Sequence, residues 1–519
     1  MSSNSSSATW SPTAWPVAGV HRGVSASDNG TVMRRVLHFA AAASLVLVGC
    51  GAPGSGASVG IDNQPITTAL PIPELVEGKT ITLNAQAGLT DFGPAATSAA
   101  TIGLNGSYLG PTLRLTRGQR VQVDVENDLD EMTTLHWHGM HVPAKMDGGP
   151  HSMIEPGQTW SPSWRVDQPA ATLWYHSHPH GETAQQVYRG LAGMILVDDP
   201  EAPDVGLPDT YGVDDIPLIV QDKSFTEDGQ LVVDSADGPS TGFLGNTIVT
   251  NGKVGTYLPV STQAVRLRLL NASNARFYNF GFADDREFAV VASDGGLLGT
   301  PMMANRVQLA PAERAEVVVR MAPGETVMLT SSPPHLGTTR DSLYSGGTFD
   351  ILELRAAGTL TPSPELAQTL TSLPAPDVAA ASTTRTFAVQ GRAINGRPMD
   401  MNRIDMAVPV DQTEVWEITN VDPQPHNFHV HNVQFRVLSM DGQPPAPELS
   451  GYKDTIYVAP RTTVRILVRF TDYTDPDWPY MFHCHLLLHE DLGVMGQFVV
   501  VKPGEQAGSP PTHDHMAMG

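Results

Sequence analysis

The stretch Tyr480 to Gly493 reads YMFHCHLLLHEDLG and wedges Cys484 between His483 and His485, with His489 five residues on. The chain has only 2 cysteines, and the other, Cys50, lies in a leader-like segment, so no intramolecular disulfide is expected in the folded part. The HxH spacing recurs at His136 and His138, His176 and His178, and His429 and His431. In a β-strand residues i and i+2 face one side, so each pair should aim two imidazoles the same way. Gathered together, these rings would make a poor core, since every buried ring N–H needs a partner. Metal binding answers that need, and imidazole suits copper, zinc, iron or nickel. Cys484 sits between two such histidines and must face the other side of the strand, so its thiolate should belong to a second site joined covalently to the first. Two histidines and a thiolate form the ligand set of blue copper, and His426 and His489 can complete it. An inert buried thiol is the alternative, disfavoured by histidines at −1, +1 and +5.

The elements that must position these groups read as strands. Alternation runs through Val121, Val123 and Val125, through Val265, Leu267 and Leu269, and through Val464, Ile466, Val468 and Phe470. No GxGxxG follows a strand, so nucleotide-binding α/β folds are disfavoured. Three segments align on an asparagine: VENDLDEMTTLHWHG on Asn127, LLNASNARFYNFGF on Asn271, and ITNVDPQPHNFHVHN on Asn420. Nine and eleven residues further on, the outer copies carry His136/His138 and His429/His431, and the middle copy carries Phe280/Phe282. The repeat predicts three related β-sandwich domains, with metal ligands in the first and third and an apolar filling in the second. The expected bounds are 65–202, 203–358 and 385–504, with a Pro- and Ala-rich linker over 359–384 and a tail over 505–519.

Length agrees, since 519 residues suggest roughly three units of about 150 residues. A formal charge of −23 argues against nucleic acid or an anionic membrane surface as partner and is compatible with attracting cations. Near the start, MRRVLHFAAAASLVLVGC has the architecture of an export signal, with an apolar run too short for a permanent membrane span. Its ending resembles a bacterial lipobox, which implies cleavage before Cys50, lipid attachment there, and placement on the outer face of the cell membrane. A plain secretory signal is the alternative. The segment 1–32 fits badly ahead of a signal at 33–50 and reads as an upstream extension, with translation starting at Met33; 51–64 reads as a flexible linker.

LHWHG, WYHSHPHG, HNFHVHN and HCHLLLHEDLG stand in the order found in the multicopper oxidases, and the resemblance extends over residues 65–502. IVQDKSFTEDGQ and ASDGGLL are similar to the bacterial three-domain cuprous oxidase branch. The resemblance implies an all-β fold of three consecutive cupredoxin-like Greek-key sandwiches and four copper ions. It assigns His426, Cys484 and His489 to the type 1 copper, and His136 and His429 to the type 2 copper. His138, His176, His178, His431, His483 and His485 fall to the type 3 pair. It further implies oxidation of an electron donor at the type 1 site, electron transfer through Cys484 to His483 and His485, and reduction of O₂ to water, with Glu490 and Asp147 delivering protons. A surface carboxylate at Glu490 and a turn residue at Asp147 are the bland alternatives.

The sequence departs from many bacterial members at the axial position, where Val494 replaces methionine and Met495 follows one residue late. Adjacent strand residues point oppositely, so a three-coordinate type 1 site is expected. The tail HDHMAMG offers His513, His515, Met516 and Met518 as accessory copper ligands, although its composition also fits an unstructured end. No long methionine-rich helix is visible between residues 355 and 400. Cu(I) is the expected donor, with Fe(II) or phenols as others, and the protein is expected to act as a monomer. A laccase, a non-enzymatic envelope protein of the same fold and a copper nitrite reductase are the competing readings; the last two do not need the full ligand set.

Overall fold

The computed structural model of the protein describes residues 61–233, 241–338, 344 and 347–512. Cys50 and the tail residues His513, His515, Met516 and Met518 lie outside the described residues. Among the described residues strands dominate, and they form six sheets, two for each of three consecutive cupredoxin-type sandwiches.

In the first sandwich a sheet built on Thr80–Thr90 and Arg120–Asn127 faces one built on Thr112–Thr116, Ala192–Asp198 and Ala171–His176. Val121, Val123 and Val125 are buried between them and the intervening residues are not, as the alternation predicts. In the third, Thr413–Asn420 and Thr463–Arg469 pack against a sheet ordered Met406–Pro409, Met495–Val501, Tyr480–His483, His426–Val430 and Thr455–Val458. The middle sandwich is filled by Phe280, Phe282, Phe288 and Phe349.

The asparagine repeat has a physical cause. Asn127 donates from Nδ2 to the carbonyls of Glu131 and Ile154 and accepts from the Leu129 N–H. Asn271 does the same with Arg276, Leu309 and Ser273, and Asn420 with Gln424, Val458 and Asp422. Each fully buried amide thus fastens the turn leaving one strand to a distant segment, which for Asn271 and Asn420 is a strand of the opposite sheet, and so fixes where the next segment begins.

Three expectations need correction. Thr68–Ala69, placed by sequence in the first domain, pairs in parallel with Thr256 and Tyr257 of the middle one. The supposed linker 359–384 is strand at both ends, in Phe349–Thr361 and Ala381–Gln390, and Leu370 within it is buried on the middle domain. Finally, Ala264–Asn271 is buried at every position rather than at alternate ones. Its outer face carries Arg266 and Arg268, which bond Glu316, Asp215 and, from the first domain, Thr172, so an interdomain contact covers the polar face.

Candidate metal centre

The strand argument holds for side-chain direction but not for length. His136 lies in an isolated bridge to His176, His138 in a turn, and His431 and His485 just past the ends of their strands. In three of the four pairs the intervening residue does point away: Trp137 into the first core, and Val430 and Cys484 into the third. The rings of one pair, however, serve different neighbours. His138 Nδ1 and His485 Nε2 lie 3.4 and 3.3 Å from His176 Nε2. His178 Nε2 and His431 Nε2 lie 3.3 and 3.2 Å from His483 Nε2. His136 and His429 are turned inward by their outer nitrogens, which donate to the carbonyls of Asp147 (2.9 Å) and Asp454 (2.8 Å), leaving both Nε2 atoms buried without a partner.

The eight rings are essentially inaccessible to solvent. Burial, reinforced by neighbouring imidazoles, pushes His136, His138, His429, His431 and His485 well below the usual range. Burial likewise carries His176 to about 3 and His178 to about 4. Neutral imidazole is the ligating form. Lone pairs facing one another at these separations, with two unpartnered Nε2 atoms among them, are a donor set that needs cations between them. This set fits metal.

The second group is compact. Cys484 Sγ lies 3.3 Å from His426 Nδ1 and 3.6 Å from His489 Nδ1, and the two ring nitrogens are 3.2 Å apart. Burial alone would raise the thiol, but the charge and hydrogen bond of His426, with help from His489, bring it down to about 5. His426 shows the reverse: against burial, Cys484 and then Asp422 raise it to about 9. Two histidines and a thiolate at this spacing suit copper. Asn427 Oδ1 accepts the thiol at 3.5 Å and the His485 N–H at 2.6 Å, tying the two faces of the HCH segment together.

Both sequence-predicted carboxylates reach the cluster. His431 Nδ1 donates to Asp147 Oδ2 at 2.7 Å, while Glu490 lies 3.2 Å from His178 Nδ1 and 3.0 Å from His483 Nδ1. Burial holds Asp147 well above the usual carboxylate range. For Glu490 burial acts in the same direction, but the two histidines outweigh it and hold it at about 2. Val494 lies opposite Cys484, whose N–H it accepts at 3.0 Å, and Met495 pairs with His483. Opposed residues in an antiparallel pair share a face, so Val494 faces the thiolate side and Met495 the other.

Sequence reasoning missed Asp422, whose partly exposed carboxylate accepts from His426 Nε2 at 3.2 Å. Its position two residues past the repeated Asn420 was the available signal. It also missed Met399, whose N–H bonds the carbonyl of Gly493 and brings the MDM segment beside the loop after His489. Among the described residues no group of metal-binding side chains falls wholly within the middle domain.

Residues 89–202, 215–342 and 367–504 match family models described as multicopper oxidase. The multicopper oxidase mco of Staphylococcus haemolyticus is 37% identical over 445 residues, 82% of this chain and 91% of that protein. The cell division protein FtsP of Escherichia coli is 36% identical over 471 residues, 88% and 97% of the two chains. Among solved structures, a laccase-like multi-copper oxidase from Ochrobactrum sp. has a TM-score of 0.77 at 37% identity, covering 83% of this chain and 100% of that one. It is described as having oxidase activity towards lignin model compounds and lignosulfonate. A laccase from Pediococcus acidilactici gives 0.78 at 34%, covering 86% and 98%.

Proposed function

Because this chain belongs to the multicopper oxidase family, we propose that it is an exported oxidase that couples one-electron oxidation of Cu(I), and more slowly of Fe(II) or phenols, to reduction of O₂ to water, with a role in copper tolerance. In this reading His426, Cys484 and His489 hold the type 1 copper, and His136 and His429 the type 2 copper. His138, His176 and His485 hold one type 3 copper, and His178, His431 and His483 the other. The four coppers, when bound, supply one-electron acceptance at one site and oxygen reduction at the other.

The protein's own part begins with a backbone: Cys484 belongs to one donor group and its neighbours His483 and His485 to the other, so one peptide joins them. That continuity is the observation that carries the proposal. Glu490 orients His178 and His483 and offers a charged carboxylate for protons; Asp147 orients His431 with a carboxyl that burial shifts upward. Burial of the eight histidines keeps bulk water from their inner nitrogens.

Two features favour a soft cation as donor. Asp422 presents a carboxylate in contact with His426 where the protein surface begins, and the formal charge of −23 attracts cations. The backbone of half-buried Met399 bonds the Gly493 loop, and the MDM segment it belongs to carries the thioethers of Met399 and Met401, ligands that suit Cu(I). A laccase-type reading is favoured by the Ochrobactrum and Pediococcus likenesses. The resemblance to a cell division protein raises a non-enzymatic reading, against which stands a complete set of buried donors. The leader reading adds lipid attachment at Cys50 and a place on the outer face of the cell membrane, and among the described residues no helix is long and apolar enough to cross a membrane.

The test is oxygen uptake by copper-loaded protein with Cu(I) and with a simple phenol under matched conditions. Faster uptake with Cu(I) is expected. Faster uptake with phenol makes the protein a laccase, and none with either donor leaves the non-enzymatic reading. Cys484→Ser is expected to abolish both the intense blue absorption and turnover; a variant that stays blue overturns the ligand assignment.

A further inference from the structure

One histidine of the cluster breaks the pattern of the others. His136, His176, His178, His429, His431 and His483 turn Nδ1 outward, to a carbonyl or a carboxylate, and His485 also presents Nε2 inward. His138 is reversed: Nδ1 faces His176, and Nε2 meets Asp454 Oδ1 at 3.1 Å and Thr455 Oγ1 at 3.2 Å. The carbonyl of the same Asp454 holds His429 Nδ1 at 2.8 Å. One residue therefore sets which nitrogen each of two ligands offers.

Asp454 is held in turn from outside its own domain. Arg314, on the middle-domain strand Arg314–Arg320, grips both oxygens at 2.7 Å in a bidentate fork. Its remaining donors go to the carbonyl of Thr172 in the first domain (3.0 Å) and to those of Asp294 (2.9 Å) and Ala312 (3.2 Å) in the middle one. Both side chains of the pair are fully buried. Asp454 lies close enough to His138 and His429 to be taken for a third ligand, but a cation there would sit against the guanidinium, so the carboxylate orients rather than ligates.

We propose that Arg314 and Asp454 are positioning residues for the oxygen-reducing cluster: Asp454 selects Nδ1 of His138 and Nε2 of His429 as the metal-facing atoms, and Arg314 fixes Asp454 from the domain that binds no copper. The inference rests on the copper reading of the eight histidines. The middle domain, whose ligand positions hold Phe280 and Phe282, is then a working part of the site rather than a spacer.

The experiment loads wild type, Asp454→Asn and Arg314→Lys with copper and records the blue absorption, the type 2 electron paramagnetic resonance signal, and copper retained against a chelator. Lys453→Met is the control, because Lys453 bonds Asp294 and Glu313 in the same interface without touching a proposed ligand. Both test variants are expected to stay blue while the type 2 signal shifts and cluster copper is held about 10- to 100-fold less tightly, the usual effect of losing an outer partner of a ligand. Should Asp454→Asn fail to fold, Arg314→Lys decides, since it keeps the charge and loses the fork. A wild-type type 2 signal and copper retention in the variants overturns the proposal, as does an equal disturbance in Lys453→Met. Wild-type protein with neither blue band nor type 2 signal removes the copper reading itself.

Discussion

Val494 lies beside the Cys484, His426 and His489 group, at the place where a fourth ligand of the proposed type 1 copper could sit. Its isopropyl group lies in the third core with Cys484 and has no atom able to bind a metal, while Met495 is turned to the face of His483. A weak axial ligand lowers a type 1 potential, so Val494→Met is expected to lower it in a redox titration of the blue band; an unchanged or higher potential counts against the three-coordinate site. Glu490 is the second single residue with a separable effect. Glu490→Gln keeps the side chain's shape but removes its charge beside His178 and His483. Reoxidation by O₂ is expected to slow by about 10²- to 10⁴-fold, the usual worth of a proton-transfer group. Anaerobic reduction of the blue site should keep its rate, and stopped-flow measurement of the two half-reactions separates them.

At the level of elements, the asparagine turn and one cap hold the ligand segments in register. The buried Asn420 side chain makes three hydrogen bonds, one of them fully buried, immediately before the segment bearing Asp422, His426, His429 and His431. Asn420→Ala is expected to destabilise the protein by about 3 kcal/mol, at roughly 1 kcal/mol per bond, in denaturant unfolding of the metal-free protein. A loss below about 0.5 kcal/mol would show that the turn is fixed by something else. The helix Leu487–Asp491, which carries His489, ends on Asp491, and this carboxylate accepts the N–H groups of Thr183 (3.0 Å) and Ala184 (2.8 Å). These are orphan donors at the start of the helix Thr183–Arg189, so a residue of the third domain caps a helix that follows the His176–His178 segment of the first.

Over the whole molecule, the interfaces between sandwiches are charged and buried. Glu316 accepts from Arg266, Arg268 and, across the domain boundary, Thr172. Burial would raise its carboxyl, but the two arginines dominate and hold it at about 2, below its ordinary 4.5. A depressed carboxylate contributes stability that is present above the unfolded value and lost as pH falls through the folded one, here between about 4.5 and about 2. The metal-free protein should therefore lose on the order of 3 kcal/mol from this group over that window. Glu316→Gln, already deprived of the ion pairs, should be less stable at neutral pH and flatter below pH 4.5 in thermal unfolding. Equal acid slopes in both proteins would refute the assignment.

The side chains that gather into the two donor groups, their division between the two sides of the HCH segment and the threefold asparagine repeat were legible in the sequence. Each is written in local spacing: period two fixes the face that Cys484, His483 and His485 take, and a single buried asparagine marks each turn. Face direction survived even where His136–His138 turned out not to be strand, because chain direction is set by the preceding turn. Which nitrogen each imidazole presents, and what holds it there, was decided by tertiary structure. Arg314 and Asp454 are 140 residues apart, and Asp147 and His431 are separated by 284. Such partners meet only when separate sandwiches pack, and no periodicity within one strand encodes which face of another domain will cover it. The buried arginines of Ala264–Asn271 defied the alternation for the same reason: neighbouring sheets supply their hydrogen bonds, so the polar face of that strand became an interface instead of a surface.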